Sequence, residues 1–488
     1  MKKLATMMAA TLLLSTTVTW AANEADLQAQ VEALQSRVTQ LEAQQSEQRI
    51  NERTAELVRK MVADLAQNTR HTAADTGLTA GYDKRFFIKS ADDQFLLEFD
   101  TLMQFRHSYL LTDEHKKELT REGLPAVDGV DSSANAMELE RARVILKGHL
   151  LKDLNYEIEI DLDDDDEDFG ELLQYEVSYS FMPEMGMKVG RYKGAFGKQE
   201  NVSSKRQMLV DRSLANEVFN IGRTTGVELF GALPVADTNL HYRAGMYNGF
   251  RDQGNSPLSE NDNNPVAAAR LVLPMLGATP ADFQNESDFM NHENPVMQFG
   301  TSFAYANAHS DPAEGHFAGG SDDSYTVLVK SGDGRSNVVN PGGEITMFGA
   351  DVAMKCQGFS AILEGFYQHA DLDASELAYS EDFGVVRKAF GIDGLEQDNF
   401  GWVAQAGYFL VPKTFEIVSR VSGVCVDQAN DMYEYAGGWN WYLAGQDLKL
   451  SMDVTYIDDL PIMESSPNFV GVQNNSLFMV RTQLQLQF

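Results

Sequence analysis

From Phe95 onward, apolar and polar residues alternate. Phe95, Leu97, Phe99, Thr101, Met103, Phe105, His107 and Tyr109 fall on one face, and Leu96, Glu98, Asp100, Leu102, Gln104, Arg106 and Ser108 on the other. A period of two is the signature of a β-strand with unlike faces. The same alternation sets Ala142, Val144, Leu146 and Leu150 against Arg141, Arg143, Lys147 and His149. It sets Tyr156, Ile158, Ile160 and Leu162 against Glu157, Glu159, Asp161 and Asp163. It returns at the end of the chain, with Phe478, Val480, Thr482, Leu484, Leu486 and Phe488 against Met479, Arg481, Gln483, Gln485 and Gln487. Tight turns at Lys152-Asp153-Leu154, Gln357-Gly358 and Gly445-Gln446 interleave with long loops such as 111–136 and 370–399. Short turns on one side and long loops on the other predict an all-β fold, a transmembrane antiparallel β-barrel of about 16 strands. Closing the sheet leaves no backbone group unpaired in lipid. Residues 274–295 stand where a short turn belongs and are too long for one.

Upstream the period changes. Leu27, Val31, Leu34, Val38 and Leu41 are spaced as the a/d seam of a heptad, with Arg37 at a g position and Glu42 at the following e. The spacing predicts an α-helical coiled coil over residues 22–67. Val at a with Leu at d leans towards two strands, although the seam is short. A single helix packed on its own domain is the other reading, but so polar a sequence has little else to bury. Met1-Lys2-Lys3, an apolar stretch and then Thr19-Trp20-Ala21 read as a secretory signal peptide over residues 1–21. Residues 68–85 are then a linker and 86–488 the barrel. The expected location is the bacterial outer membrane, with the N-terminal arm in the periplasm.

Composition narrows the function. The 488 residues carry 39 Lys+Arg against 72 Asp+Glu, a net charge of −33, which argues against a nucleic-acid partner. A hydrophobic fraction of 43% is too even along the chain for disorder and too low for a helical membrane bundle. Two cysteines exclude a disulfide scaffold. The threading puts Cys356 at the periplasmic end of its strand and Cys425 at the outer end of its own, too far apart to bridge. HExxH, GxSxG and P-loop patterns are missing, so no enzyme and no cofactor are expected. Single histidines such as His149 read as polar lining.

Several ordered segments carry a resemblance. Arg141-Ala142-Arg143 leads through Gly148-His149-Leu150 and Lys152-Asp153 to Tyr156. Val189-Gly190-Arg191-Tyr192-Lys193 with Phe196-Gly197 leads to Asp211-Arg212-Ser213-Leu214 and Gly222-Arg223-Thr224-Thr225-Gly226-Val227. Tyr247-Asn248-Gly249, Ala268-Ala269-Arg270, Gly438-Trp439-Asn440-Trp441-Tyr442-Leu443 and Leu448-Lys449-Leu450 follow in order. Together these resemble the phosphate-selective porin O and P family. The resemblance implies a homo-oligomer, usually a trimer, that passes small anions across the outer membrane. It also implies a third long loop folded into the lumen as the constriction, here residues 193–223.

A filter needs charge of one sign where the pore is narrowest. The constriction loop holds six bases, Lys193, Lys198, Lys205, Arg206, Arg212 and Arg223, against three acids, Glu200, Asp211 and Glu217. On neighbouring walls Arg141, Arg143 and Lys147 share a lumen face, and Arg191 joins them if Tyr192 faces lipid. One reading is a positive eyelet that holds anions, Arg bidentately and Lys as a point charge. The other is that these bases pair with lumen acids such as Glu157, Glu159 and Asp161 and pin the loop. The two are compatible. The lumen faces carry many acids and no continuous basic ladder, so a phosphate-like solute is one option among small anions. The six acids of residues 163–168 read as a solvated loop, or as a Ca²⁺ or Mg²⁺ site bridging to lipopolysaccharide. A different class of function is a structural barrel tethered through its coiled coil to the cell wall or a partner.

Overall fold

The computed structural model describes residues 77–112, 133–162, 170–249, 265–308, 327–330, 336–339, 343–372, 395–427, 431–460 and 475–488. The signal peptide and coiled-coil seam expected from the sequence, and the acidic run 163–168, lie outside the described residues. The chain divides into Met1–Ala80 and Gly81–Phe488, and the second unit is the barrel.

Sixteen strands form the ring: β1 (Phe95–Thr112), β2 (Ser133–Leu150), β3 (Leu154–Asp161), β4 (Glu171–Met182), β5 (Met185–Lys193), β6 (Arg223–Val235), β7 (Thr238–Tyr247) and β8 (Val266–Met275), then β9 (Val296–Ala308), β10 (Gly343–Cys356), β11 (Phe359–Leu372), β12 (Leu395–Val411), β13 (Phe415–Val426), β14 (Met432–Tyr442), β15 (Leu448–Leu460) and β16 (Asn475–Gln487). Each pairs antiparallel with the next, and β16 returns to β1 in a register running from Leu477↔Thr112 to Gln487↔Leu102. Thr101 N and Oγ1 both donate to Phe488 O, continuing the seam by one step. Below it, the short strand Phe86–Ser90 takes over as β1's partner, with Phe86↔Phe99 and Lys89↔Leu96. A separate hairpin joins Val327–Lys330 to Ser336–Val339.

The alternation sorts inside from outside. Phe99, Phe105 and Tyr109 are exposed on β1 while Asp100, Gln104 and Arg106 are buried. On β11, Leu363 is 58% exposed and the adjacent Glu364 is 4% exposed. A soluble sandwich would show the reverse, so the apolar outer band is a lipid-facing surface. Among the described residues no helix is long and apolar enough to cross a membrane, and the strands do the crossing. Tight turns gather at one rim. Gln357 (φ 49°) and Gly358 (φ 81°) join β10 to β11 by a two-residue turn with φ positive at both positions, as the strand twist requires. Cys356 adjoins that turn, Cys425 stands near the far end of β13, and both thiols are free.

One connection departs from the pattern for a physical reason. Pro274 lies within β8, and residues 276–295 do not turn tightly at the rim but fold inward. Lys355 Nζ donates to the carbonyls of Asp282, Asn285 and Ser287 at 2.7, 2.7 and 2.8 Å, and Ser287 Oγ donates to Glu416 at 2.9 Å. The excess length is a second inward-folded segment.

Candidate functional site

The loop 194–222 lies inside the barrel. Its apolar residues seat it: Phe196, Leu214, Ala215, Val218, Phe219 and Ile221 are all buried. Phe219 stacks on the inward ring of Phe366 at 5.7 Å, and Phe196 on the same ring at 6.2 Å. Gly401 on β12 makes room, since a Cβ there would meet the Phe219 ring at 2.4 Å. A short helix, Leu214–Val218, is capped by Ser213 and packs on β12 and β13.

Burying a loop obliges its backbone N–H groups to find acceptors. The lumen wall and the inward segment 276–295 supply carboxylates. Glu364 accepts from Lys198 N and Gln199 N, and Glu286 from Met208 N at 2.7 Å. Asp453 accepts from Val210 N at 3.1 Å, and Glu434 from Leu214 N at 2.8 Å. The loop's own acid is clamped in return, Arg106 and Arg481 donating to Asp211 at 2.9 and 2.6 Å. Arg420 Nη1 donates to the Asp211 carbonyl at 2.8 Å. Burial alone would raise the Asp211 carboxyl, but Arg106, Arg481 and Arg141 hold it well below the usual carboxylate range. Acids the sequence reading did not single out, Glu364, Glu434, Asp453 and Glu286, are thus acceptors for the loop.

This docking fills the β9–β16 side of the lumen and leaves a cavity of about 340 Å³ against β2–β7. Seven bases line it, Arg141, Arg143, Lys188, Lys193, Arg212, Arg223 and Arg243, with three acids, Glu157, Glu159 and Glu176. Arg143 is held by Glu159 and Asp161 at 3.1 and 2.6 Å. Arg243 is bidentate to Glu228 at 2.7 and 2.8 Å and also donates to Asn201 and to the Lys193 carbonyl. Lys193 Nζ donates to the carbonyls of Glu200 and Val202, and Arg212 pairs with Glu200 at 3.1 Å. Burial would raise Glu200, yet Arg212, Lys193 and Arg223 hold it at about 2. Arg223 and Lys188 are held most loosely, Arg223 at 3.4 Å from Glu159 and 3.5 Å from Gln174, Lys188 at 3.5 Å from Glu176 and 3.9 Å from Glu228.

Five of the bases singled out in the sequence meet at this cavity: Lys193, Arg212, Arg223, Arg141 and Arg143. Lys147 shares β2 with Arg141 and Arg143 and approaches Glu98 at 4.0 Å, outside the lining. Lys198 sits on the far side of the loop, its ammonium 5.3 Å from the Phe283 ring, and burial pushes it below its ordinary value. Lys205 pairs with Asp100 at 3.3 Å, and Arg206 donates to Gln284 at 2.8 Å. These three pin the loop. Arg191 is a correction. Tyr192 lines the cavity, so Arg191 takes the opposite face with the exposed Met187 and Val189, and pairs with Glu171 at 3.1 Å. Lys188 and Arg243 were missed. Lys188 alternates with Met187 and Val189, and Arg243 with the exposed Met246, so the signal was present in the period.

A closed barrel with an apolar outside, narrowed by a loop folded into its lumen, is the architecture of a porin-type membrane channel. The model of the family described as phosphate-selective porin O and P matches residues 121–317, the stretch that holds β2 to β9 and the constriction loop. The resemblance seen in the sequence is thereby borne out. No curated protein matches the chain. Among solved structures, an anion-selective porin from Comamonas acidovorans is similar at 9% identity, with 80% of this chain and 99% of that one covered and a TM-score of 0.49. The outer membrane channel DcaP of Acinetobacter baumannii follows at 10% identity, 82% and 99% coverage and a TM-score of 0.47. In-vitro folded OmpT of Vibrio cholerae gives 10%, 80% and 98%, and 0.46.

Proposed function

We propose that this chain is a passive outer-membrane channel for small anionic solutes, with its selective step at the cavity between the loop and β2–β7. One observation carries the reading: seven bases face three acids there, in a chain whose net charge is −33. Low-dielectric walls focus the field of those charges on the permeating ion. The acids that dominate the composition act elsewhere, in part as acceptors for the loop backbone. A homo-oligomer, with trimer as the inherited expectation, and a periplasmic arm belong to the same proposal. Inorganic phosphate is one admissible solute.

The test is a planar bilayer under a KCl gradient. The expected reversal potential is that of a chloride-selective channel. Replacing Arg141, Arg143 and Arg223 together by Gln should move it towards potassium. Potassium selectivity in the unaltered protein would overturn the reading. The heptad seam of the arm favours a second role as a tether, separable by deleting residues 22–80. Unchanged conductance with a lost envelope phenotype would support that role alongside the channel.

A further inference from the structure

The cavity holds more than a bare anion can use. Glu159 is occupied by Arg143 and Arg223. Glu157 is not: Lys147 stands directly opposite it on β2 but approaches Glu98 instead, and among the described residues Glu157 forms no ion pair within 4 Å and accepts one long hydrogen bond, 3.4 Å from Gln174 Nε2. Directly across the β3–β4 pair stands Glu176, which shares the same Gln174 amide at 3.4 Å and meets Lys188 at 3.5 Å. Like charges set directly opposite one another are destabilising. The second observation is independent. Tyr192 lines the same cavity at 1% exposure, and its hydroxyl has no hydrogen-bond partner. Leaving a buried hydroxyl unpaired costs about 1–3 kcal/mol.

An ion with no hydroxyl groups gains from the bases and is repelled by Glu157 and Glu176. A solute with an anionic group and several hydroxyls gains from both. Its hydroxyls donate to the carboxylates, and one accepts from Tyr192. Size agrees, since about 340 Å³ is roughly ten times the volume share of one water molecule.

We propose that the eyelet is built for polyhydroxylated organic anions, sugar acids or sugar phosphates. The anionic group sits against Arg141, Arg143 and Arg223, and the hydroxyls against Glu157, Glu176 and Tyr192. The inference rests on the anion reading and narrows its solute class.

The experiment reads block of the single-channel KCl current by gluconate, acetate, glucose 6-phosphate, inorganic phosphate and glucose. Gluconate should block at a concentration at least tenfold below acetate, glucose 6-phosphate likewise below phosphate, and neutral glucose should be the weakest. Tyr192→Phe, and Glu157→Gln with Glu176→Gln, should raise the blocking concentration of gluconate severalfold and that of acetate much less. Heat-modifiable migration on gels establishes that each variant is a folded barrel. Gluconate no better than acetate, or variants that weaken both equally, would overturn the inference. The reversal potential in the same bilayers separates the failures. A chloride-selective channel indifferent to hydroxyls overturns this inference alone, and a potassium-selective one overturns both.

Discussion

Asp211 accepts from Arg106 and Arg481, and Arg481 in turn holds Asp453 at 2.9 Å. Asp211→Asn removes that anion from two buried guanidinium groups, and because Arg106 keeps Glu140 and Arg481 keeps Asp453 the loss should fall below the roughly 3–5 kcal/mol of a fully orphaned buried charge. The barrel should still form, because its strands pair without the loop, but the loop should loosen and the single-channel conductance rise. Acid should act in the same direction. The Glu200 carboxyl lies at about 2 against an ordinary 4.5. A depressed value means its contribution is full above the ordinary one and is lost as pH falls towards the depressed one. The grip of Glu200 should therefore be whole above about pH 4.5 and weaken between there and pH 2, and a bilayer titration should show conductance rising over that range. At this scale the sequence revealed most of the cavity's bases, since alternation and loop membership both survive without coordinates. It misplaced Arg191, because an aromatic at a strand end suits lipid as well as lumen, and what the Tyr192 ring meets inside, the Lys188 ammonium at 4.0 Å and the edge of Tyr247 at 6.0 Å, shows only once the strands are side by side.

The constriction loop is held by shape as well as charge. Gly401→Val would drive a side chain into Phe219 and Ala215, so the helix Leu214–Val218 must leave the wall. A wider, noisier channel in single-channel recordings is the expected result. A current indistinguishable from the unaltered protein would mean the loop is seated by its ion pairs alone. The inward segment 276–295 meets the same loop from the tight-turn rim: Glu286 N donates to Arg206 O at 3.1 Å, and the Glu286 carboxylate accepts from Met208 N at 2.7 Å. The period of two foretold the strands because each has a wet and an oily side. It could not foretell this segment, which buries backbone through the carbonyls around Lys355 and offers no repeating pattern. Its anomalous length was the only trace.

The ring as a whole was the most legible level. Sixteen alternating segments with asymmetric connections admit few other closures, and the sheet closes as that count requires. The identity of the lumen's walls was not legible, because which acids serve the loop and which face the solute depends on partners up to 270 residues apart in the chain. Deleting residues 22–80 should leave barrel conductance intact, because the seam, the loop and the cavity are all built from Gly81–Phe488.

The clasp on the loop spans the seam. Arg106 belongs to β1 and Arg481 to β16, and both grip Asp211. Half of that clasp is missing until the two strands meet. Closing the cylinder therefore also completes the grip on its throat: one strand pairing both seals the wall and tightens the constriction.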